Sequence, residues 1–261
     1  MRLIDTHAHL DQEEFDASRN DVIARAQEAG IEAILAVGCT ADSSETTVRL
    51  TEKFPSVFAA VGLQPNYCAE AVDGDWDRIV QLVDHPRVIA IGETGLDRHW
   101  NYSPFDLQQD YFDRHLRLSA KHGLPFIVHM RDCNDDIMAM LREASARGPL
   151  RGVMHSFTGG AEMAAECVAL GLYISFAGMV TFKKSDALRQ VAATVPDDRI
   201  LIETDSPYLS PHPLRSKRPN EPSYVVHTAA CLAEVRGTTS NVFGELTTAN
   251  AQRLFRFNTV T

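Results

Sequence analysis

The chain has 261 residues, 44% of them hydrophobic, with a net charge of −10. That is enough to bury one large core, and an α/β barrel of about 250 residues counts as a single domain, here expected over 1–261. No run of about 20 apolar residues offers a membrane span, and an acidic balance speaks against a broad nucleic-acid-coating surface.

Five cysteines (Cys39, Cys68, Cys133, Cys167 and Cys231) lie far apart with no Cys-x-x-Cys pair. An odd, irregular set suits reduced thiols in a cytoplasm better than a disulfide framework. The first residues reach Arg2 and Asp5 at once, so no secretory signal is expected, and no obligate protein partner is evident.

In chain order, β-rich runs over 2–6, 31–37, 57–61, 88–92, 125–129, 151–155, 172–176 and 199–204 alternate with helical stretches. The helices are expected over 18–29, 42–53, 75–84, 106–122, 134–146, 160–169, 185–194 and 222–236, with a last one over 246–256. Several strands are nearly continuous apolar runs, as when both faces of a parallel sheet are covered. Gly30, Gly123 and Gly171 follow helical stretches, where a left-handed residue ends a helix. Eight such pairs predict a (β/α)8 barrel, and a doubly wound open sheet would fit the alternation too.

The location of polar residues favours the barrel. Strand one ends in Ile4-Asp5-Thr6-His7-Ala8-His9, where residues two apart can point the same way. Glu93, His129 and His155 end strands four, five and six, and Glu203-Thr204-Asp205 ends strand eight. Closed into a barrel, those ends face one another across the top. Imidazoles with carboxylates suit a divalent cation held by nitrogen and oxygen: magnesium or manganese, with zinc also possible. No cysteine is expected at these strand ends, so a thiolate zinc site is not. Two ions sharing a bridging carboxylate could activate water against an ester, and Glu93 is the bridge candidate. Asp205 could accept a proton from the attacking water, or only cap the turn before Pro207. Glu203 sits deeper, as a supporting partner rather than a ligand.

Substrate contacts are expected from two further places. Arg131 could bind an anion or pair with Asp132 or Asp135. Arg215, Lys217 and Arg218 form a basic island in a Pro-rich loop after strand eight, where such barrels often hold phosphate. The other reading is a solvated loop braced by its prolines.

The segments Asp5-Thr6-His7-Ala8-His9-Leu10-Asp11, Ile91-Gly92-Glu93-Thr94-Gly95-Leu96-Asp97, His155-Ser156-Phe157-Thr158-Gly159 and Ile202-Glu203-Thr204-Asp205-Ser206-Pro207-Tyr208-Leu209 together closely resemble the TatD family of metal-dependent deoxyribonucleases. The resemblance covers essentially the full length. It implies a metallohydrolase barrel that cuts DNA with divalent cations held by His7, His9, Glu93, His129, His155 and Asp205. Two departures bear on substrate. Relatives commonly carry His where Gln64 stands, and an amide can bond a phosphate oxygen but cannot shuttle a proton near neutral pH. The usual Arg-Gly-Lys-x-Asn-Glu-Pro loop has Ser216 for glycine and one extra residue.

The expected function is therefore phosphodiester cleavage of a DNA end or other nucleotide-ended substrate at the barrel mouth. A same-fold hydrolase of a non-phosphate ester or amide, such as an aminoacyl ester on transfer RNA, is the alternative. A barrel that binds without catalysis is the other.

Overall fold

Eight parallel strands lie in chain order in one sheet: β1 (Leu3–Ala8), β2 (Ile31–Val37), β3 (Val57–Val61), β4 (Val88–Asp97), β5 (Phe126–Arg131), β6 (Gly152–Met154), β7 (Tyr173–Phe176) and β8 (Ile200–Ile202). The computed structural model describes residues 1–257. The crossovers carry α1 (Arg19–Glu28), α2 (Ala41–Lys53), α3 (Asp75–Leu82), α4 (Phe105–His122), α5 (Asn134–Arg147), α6 (Ala161–Ala169) and α7 (Asp186–Thr194). Two helices follow β8: α8 (Val225–Val235) and α9 (Ser240–Phe255). The expected (β/α)8 barrel is the fold.

Alternation along the strands builds two cores. Val57, Ala59 and Val61 of β3 face the helix layer, whereas Phe58 and Ala60 face the barrel interior. Ile200 and Ile202 of β8 likewise face outward and Leu201 inward. This is the period of two expected of a pleated strand buried on both faces. At the N-terminal ends of the strands α9 acts as a floor: Thr248 donates to the Arg2 carbonyl at 3.0 Å and Asn250 to the Ile200 carbonyl at 2.9 Å. Leu254, Phe255 and Phe257 fill the interior from that side.

The seam between β1 and β8 is closed at its C-terminal end. Asp205 N donates to the His7 carbonyl at 2.9 Å and His9 N to the Ser206 carbonyl at 2.7 Å. Beneath them the fully buried Asp5 carboxylate accepts from Thr204 N at 2.9 Å and Thr204 Oγ1 at 2.6 Å. Burial pushes that carboxyl up to about 8, against the pull of its Thr204 donors.

Several boundaries differ from expectation. β4 runs five residues past 92, to Asp97, because Gly92 and Gly95 adopt φ of 139° and 128°. A Cβ on Gly95 would lie 2.1 Å from the His129 carbonyl oxygen, so glycine lets β4 lie against β5 here. α9 begins at Ser240 rather than near 246, its start fixed by Thr239 Oγ1 accepting from Val242 N. The expected helix over 222–236 divides into a single turn, Pro222–Tyr224, and α8.

Candidate metal centre

His7 and His9 leave the end of β1 with their Nε2 atoms 3.2 Å apart. The ladder between β1 and β2 is irregular between Asp5 and Ala8, which lets this pair reach the barrel axis. Glu93, midway along the extended β4, lies among them with its two oxygens divided. Oε2 is 3.5 Å from His7 Nε2 and 3.6 Å from His9 Nε2. Oε1 is 2.8 Å from His129 Nδ1 and 3.1 Å from His155 Nε2. Asp205, at φ 54° just past β8, places Oδ1 3.5 Å from His9 Nε2 and 3.8 Å from His7 Nε2. The six residues expected as ligands are thus brought to one place.

The back nitrogens of three imidazoles are held by acceptors. His9 Nδ1 is 3.1 Å from the Val37 carbonyl oxygen, His129 Nε2 is 3.0 Å from Asp97 Oδ2, and His155 Nδ1 is 3.3 Å from Glu203 Oε1. A carbonyl or carboxylate only accepts, so each of those nitrogens carries a proton, and the other ring nitrogen faces the centre, where a bound cation would take the place of any proton on it. The exception is His7, whose buried Nδ1 has no hydrogen-bond partner among the described residues and whose ring stacks on His155 at 4.1 Å.

The electrostatics fit a cation. Glu93 is nearly fully buried and Asp205 mostly so, yet among the described residues neither meets a lysine or arginine. Two buried carboxylates facing imidazole nitrogens need positive charge between them. In this structure imidazolium supplies it. Burial drives the Glu93 carboxyl up, but His155, His129 and His7 outweigh it and hold the group well below the carboxylate range. Burial pulls His155 down, but Glu93 and Glu203 hold it well above the ordinary imidazole value. His7 instead falls, through burial and the charge of His155. Ligand atoms of His7, Glu93 and His155, and of His7, His9 and Asp205, lie within 4.8 Å of one another in each set. The donor set therefore suits divalent cations.

Two residues at the centre escape a reading by strand ends. Asp97 accepts from His129, from Asn66 Nδ2 at 3.0 Å, and from the backbone N of His99 and Trp100. Burial raises its carboxyl, but these partners bring it down to about 2. It stands in the quoted Glu93 motif, but beyond the expected strand. The other is Cys39, which reaches the cluster from β2, a strand outside the five expected to carry ligands. It follows β2 by two residues, with Sγ 3.5 Å from His9 Nδ1 and 4.0 Å from Glu93 Oε2. β2 carries no imidazole or carboxylate at its end, so nothing in its sequence singled it out. Burial pushes the thiol up to about 11, so it stays protonated behind His9.

The cluster forms the floor of a cavity of about 950 Å³ at the C-terminal ends of the strands. Gln64 and Arg131 both line it. Gln64 spends Oε1 on Asn66 N at 2.8 Å. Arg131 pairs with no carboxylate among the described residues; Asp132 instead meets His99 at 2.9 Å. The basic loop lies elsewhere. Arg215 stacks its guanidinium 3.7 Å from the Phe182 ring, and Arg218 donates to Ser210 Oγ at 2.8 Å and to the Lys217 carbonyl at 3.2 Å. Only Arg218 borders a neighbouring hollow, which shares Tyr208 and Leu209 with the cavity.

Comparison with known proteins agrees with this architecture. The family described as TatD related DNase matches residues 4–256. An uncharacterized metal-dependent hydrolase of Bacillus subtilis strain 168, YabD, is 42% identical over 98% of this chain and 100% of its own length. The 3'-5' ssDNA/RNA exonuclease TatD of Citrobacter rodentium is 34% identical over 97% of each chain. The crystal structure of the TatD homolog YJJV from Escherichia coli K12 superposes with a TM-score of 0.91 at 29% identity, covering 98% of both chains. With its barrel, its cluster of imidazoles and carboxylates and these full-length matches, the chain belongs to the TatD family of metal-dependent hydrolases.

Proposed function

We propose that this hydrolase cleaves phosphodiester bonds at the end of a single DNA strand, using two divalent cations, magnesium or manganese. The observation that carries the proposal is the division of Glu93 between two imidazole pairs. His7, His9, Asp205 and one Glu93 oxygen would hold one ion; His129, His155 and the other Glu93 oxygen would hold the second. Bound there, such ions polarise a phosphoryl oxygen and make water a better nucleophile at neutral pH.

The chain's own residues do the rest. Asp205 is the more exposed of the two central carboxylates, 14% against 4% for Glu93. Burial raises its carboxyl, but His9, His7 and His155 outweigh burial and keep it ionised, so it can orient the attacking water and accept its proton. Asp97 and Glu203 hold His129 and His155 in one ring orientation each. Arg131 and Gln64, on the cavity wall, contact the phosphates, with Arg218 of the Arg215–Lys217–Arg218 loop the nearest to a strand leaving past Tyr208. A deep mouth accepts a strand end more readily than a continuous duplex. The name of the Citrobacter relative supports a single-stranded substrate and cleavage from the 3' end.

The test is release of mononucleotides from a 5'-labelled single-stranded oligonucleotide with added magnesium or manganese, which the proposal expects to shorten the strand stepwise from its 3' end. Hydrolysis confined to non-phosphate esters or amides would overturn it in favour of a same-fold esterase or amidase. No hydrolysis of any ester class, together with no metal uptake, would make the chain a binding protein.

A further inference from the structure

Exposed aromatic side chains normally scatter singly over a protein surface. Here they do not. Tyr67, Trp100, Tyr102 and Tyr208 are the exposed aromatics among the described residues, and all four line the cavity above the metal cluster. Trp100 and Tyr102 lie nearly parallel, 13° apart with ring centres at 5.4 Å. Leaving two large rings in water is unfavourable unless something covers them.

The loop that carries them is built rather than loose. Asp97, which holds His129, also accepts from Trp100 N at 3.0 Å. Gln108 donates to the carbonyls of Asp97 and Ser103, tying the two ends of the loop together at 3.1 and 3.0 Å. Ser103 in turn donates to the Asn66 carbonyl at 3.1 Å. The rings are therefore positioned relative to the metal cluster through one shared carboxylate. Beside them stands Arg131, the one arginine or lysine of the cavity wall among the described residues: its guanidinium is 5.5 Å from the centre of the Trp100 ring.

We infer that Trp100 and Tyr102 form a stacking platform for the nucleobases of a single strand whose end reaches the metal cluster, with Arg131 meeting the adjoining phosphate. A π face beside an unpaired guanidinium matches a nucleotide, which offers a flat ring and an anion a few ångströms apart. Every base has such a face, so the platform is tolerant of sequence. Duplex DNA, whose bases are already stacked and paired, does not fit it. With a chain charge of −10, stacking supplies affinity that long-range attraction does not.

The inference rests on the phosphodiesterase reading for its substrate, but its test does not depend on turnover. The chain has two tryptophans, so Trp76→Phe leaves Trp100 as the sole indole emitter. In that background, metal-free protein is titrated with an oligothymidylate and with an abasic strand of the same length, following Trp100 fluorescence and the anisotropy of a label on the strand. We expect oligothymidylate to quench Trp100 and to bind more tightly than the abasic strand. With Trp76 intact, Trp100→Ala and Tyr102→Ala should each weaken oligothymidylate binding about 5- to 150-fold, and Trp100→Phe should restore most of it. No quenching up to millimolar oligonucleotide, equal affinity for the abasic strand, or unchanged affinity in both alanine variants would overturn the platform. A protein that binds and quenches in this way but releases no nucleotide with metal would leave the platform standing and overturn the nuclease reading instead.

Discussion

Glu203 holds His155 from behind: its Oε1 lies 3.3 Å from His155 Nδ1 and also accepts from Ser156 N at 2.6 Å. Its other oxygen accepts from Ser175 Oγ at 2.6 Å, so the carboxylate is fixed at three points in a fully buried place. The imidazole is thereby turned with Nε2 toward Glu93. Glu203→Gln keeps the size and can keep an oxygen toward Nδ1, with its amide nitrogen toward Ser175 Oγ, but removes the negative charge behind the imidazole. Loss of such a carboxylate partner typically costs about 10- to 100-fold in metal affinity or activity. Calorimetric titration of manganese should show that loss at one site, with the circular dichroism spectrum unchanged.

Asp205→Asn should leave the barrel folded and slow the chemical step. The amide keeps one oxygen for the centre but cannot take a proton. General-base assistance is worth about 10²–10⁴-fold, and single-turnover rates at saturating metal would measure it. A loss under about tenfold would remove Asp205 from that role.

The seam of the barrel predicts a stability effect. Asp5 accepts from Thr204 N, Thr204 Oγ1 and His7 N, the last at 3.3 Å, and thereby ties β1 to the segment after β8. Asp5→Ala strands three buried donors, at about 1–3 kcal/mol for an unsatisfied buried group. Relaxation shares that cost, so urea denaturation should show a loss of about 3 kcal/mol.

One source of acid sensitivity is a buried imidazole outside the metal cluster. His115 is fully buried; its Nε2 accepts from Leu63 N at 3.0 Å and its Nδ1 donates to the Tyr111 carbonyl at 2.6 Å. Burial lowers its imidazole to about 4, whereas an unfolded histidine titrates near 6.5. The folded value is the depressed one, so its contribution is complete above pH of about 6.5 and is lost as the pH falls toward 4. The linkage amounts to roughly 3 kcal/mol over that window. Denaturation midpoints should fall between pH 6.5 and 4, and His115→Gln should flatten that limb.

Salt dependence separates the basic loop from the cavity wall. Arg215 is engaged with Phe182, and Arg218 with Ser210 and the Lys217 carbonyl. Replacing Arg215, Lys217 and Arg218 together by alanine should therefore remove one phosphate contact, through Arg218, rather than three. The slope of log K against log salt should fall by about 0.7. A fall of about 2 would mean that all three reach the strand.

The barrel was legible because its strands are short apolar runs separated by amphipathic stretches, and six ligand candidates were legible because each stands at or just past the end of such a run. The extent of β4 is not legible, because the polar Glu93-Thr94 between two glycines does not continue the apolar run of 88–91. In three dimensions the glycines are what let the strand continue past His129. Asp97 lies beyond the expected strand. Cys39 carries no signal, since its neighbours Val37 and Gly38 offer no chemistry and its meeting with His9 is made only by the pairing of β2 beside β1. The basic island looked concentrated in sequence, but a loop can send adjacent side chains to different partners, as Arg215 and Arg218 show.

Glu93 is the residue proposed to join two ions. The direct measurement is anomalous scattering from crystals loaded with manganese. Two manganese peaks about 3.5–4 Å apart are expected, one on the His7–His9 side and one on the His129–His155 side, with a Glu93 oxygen on each. A single peak, or two peaks of which only one touches Glu93, would contradict that role.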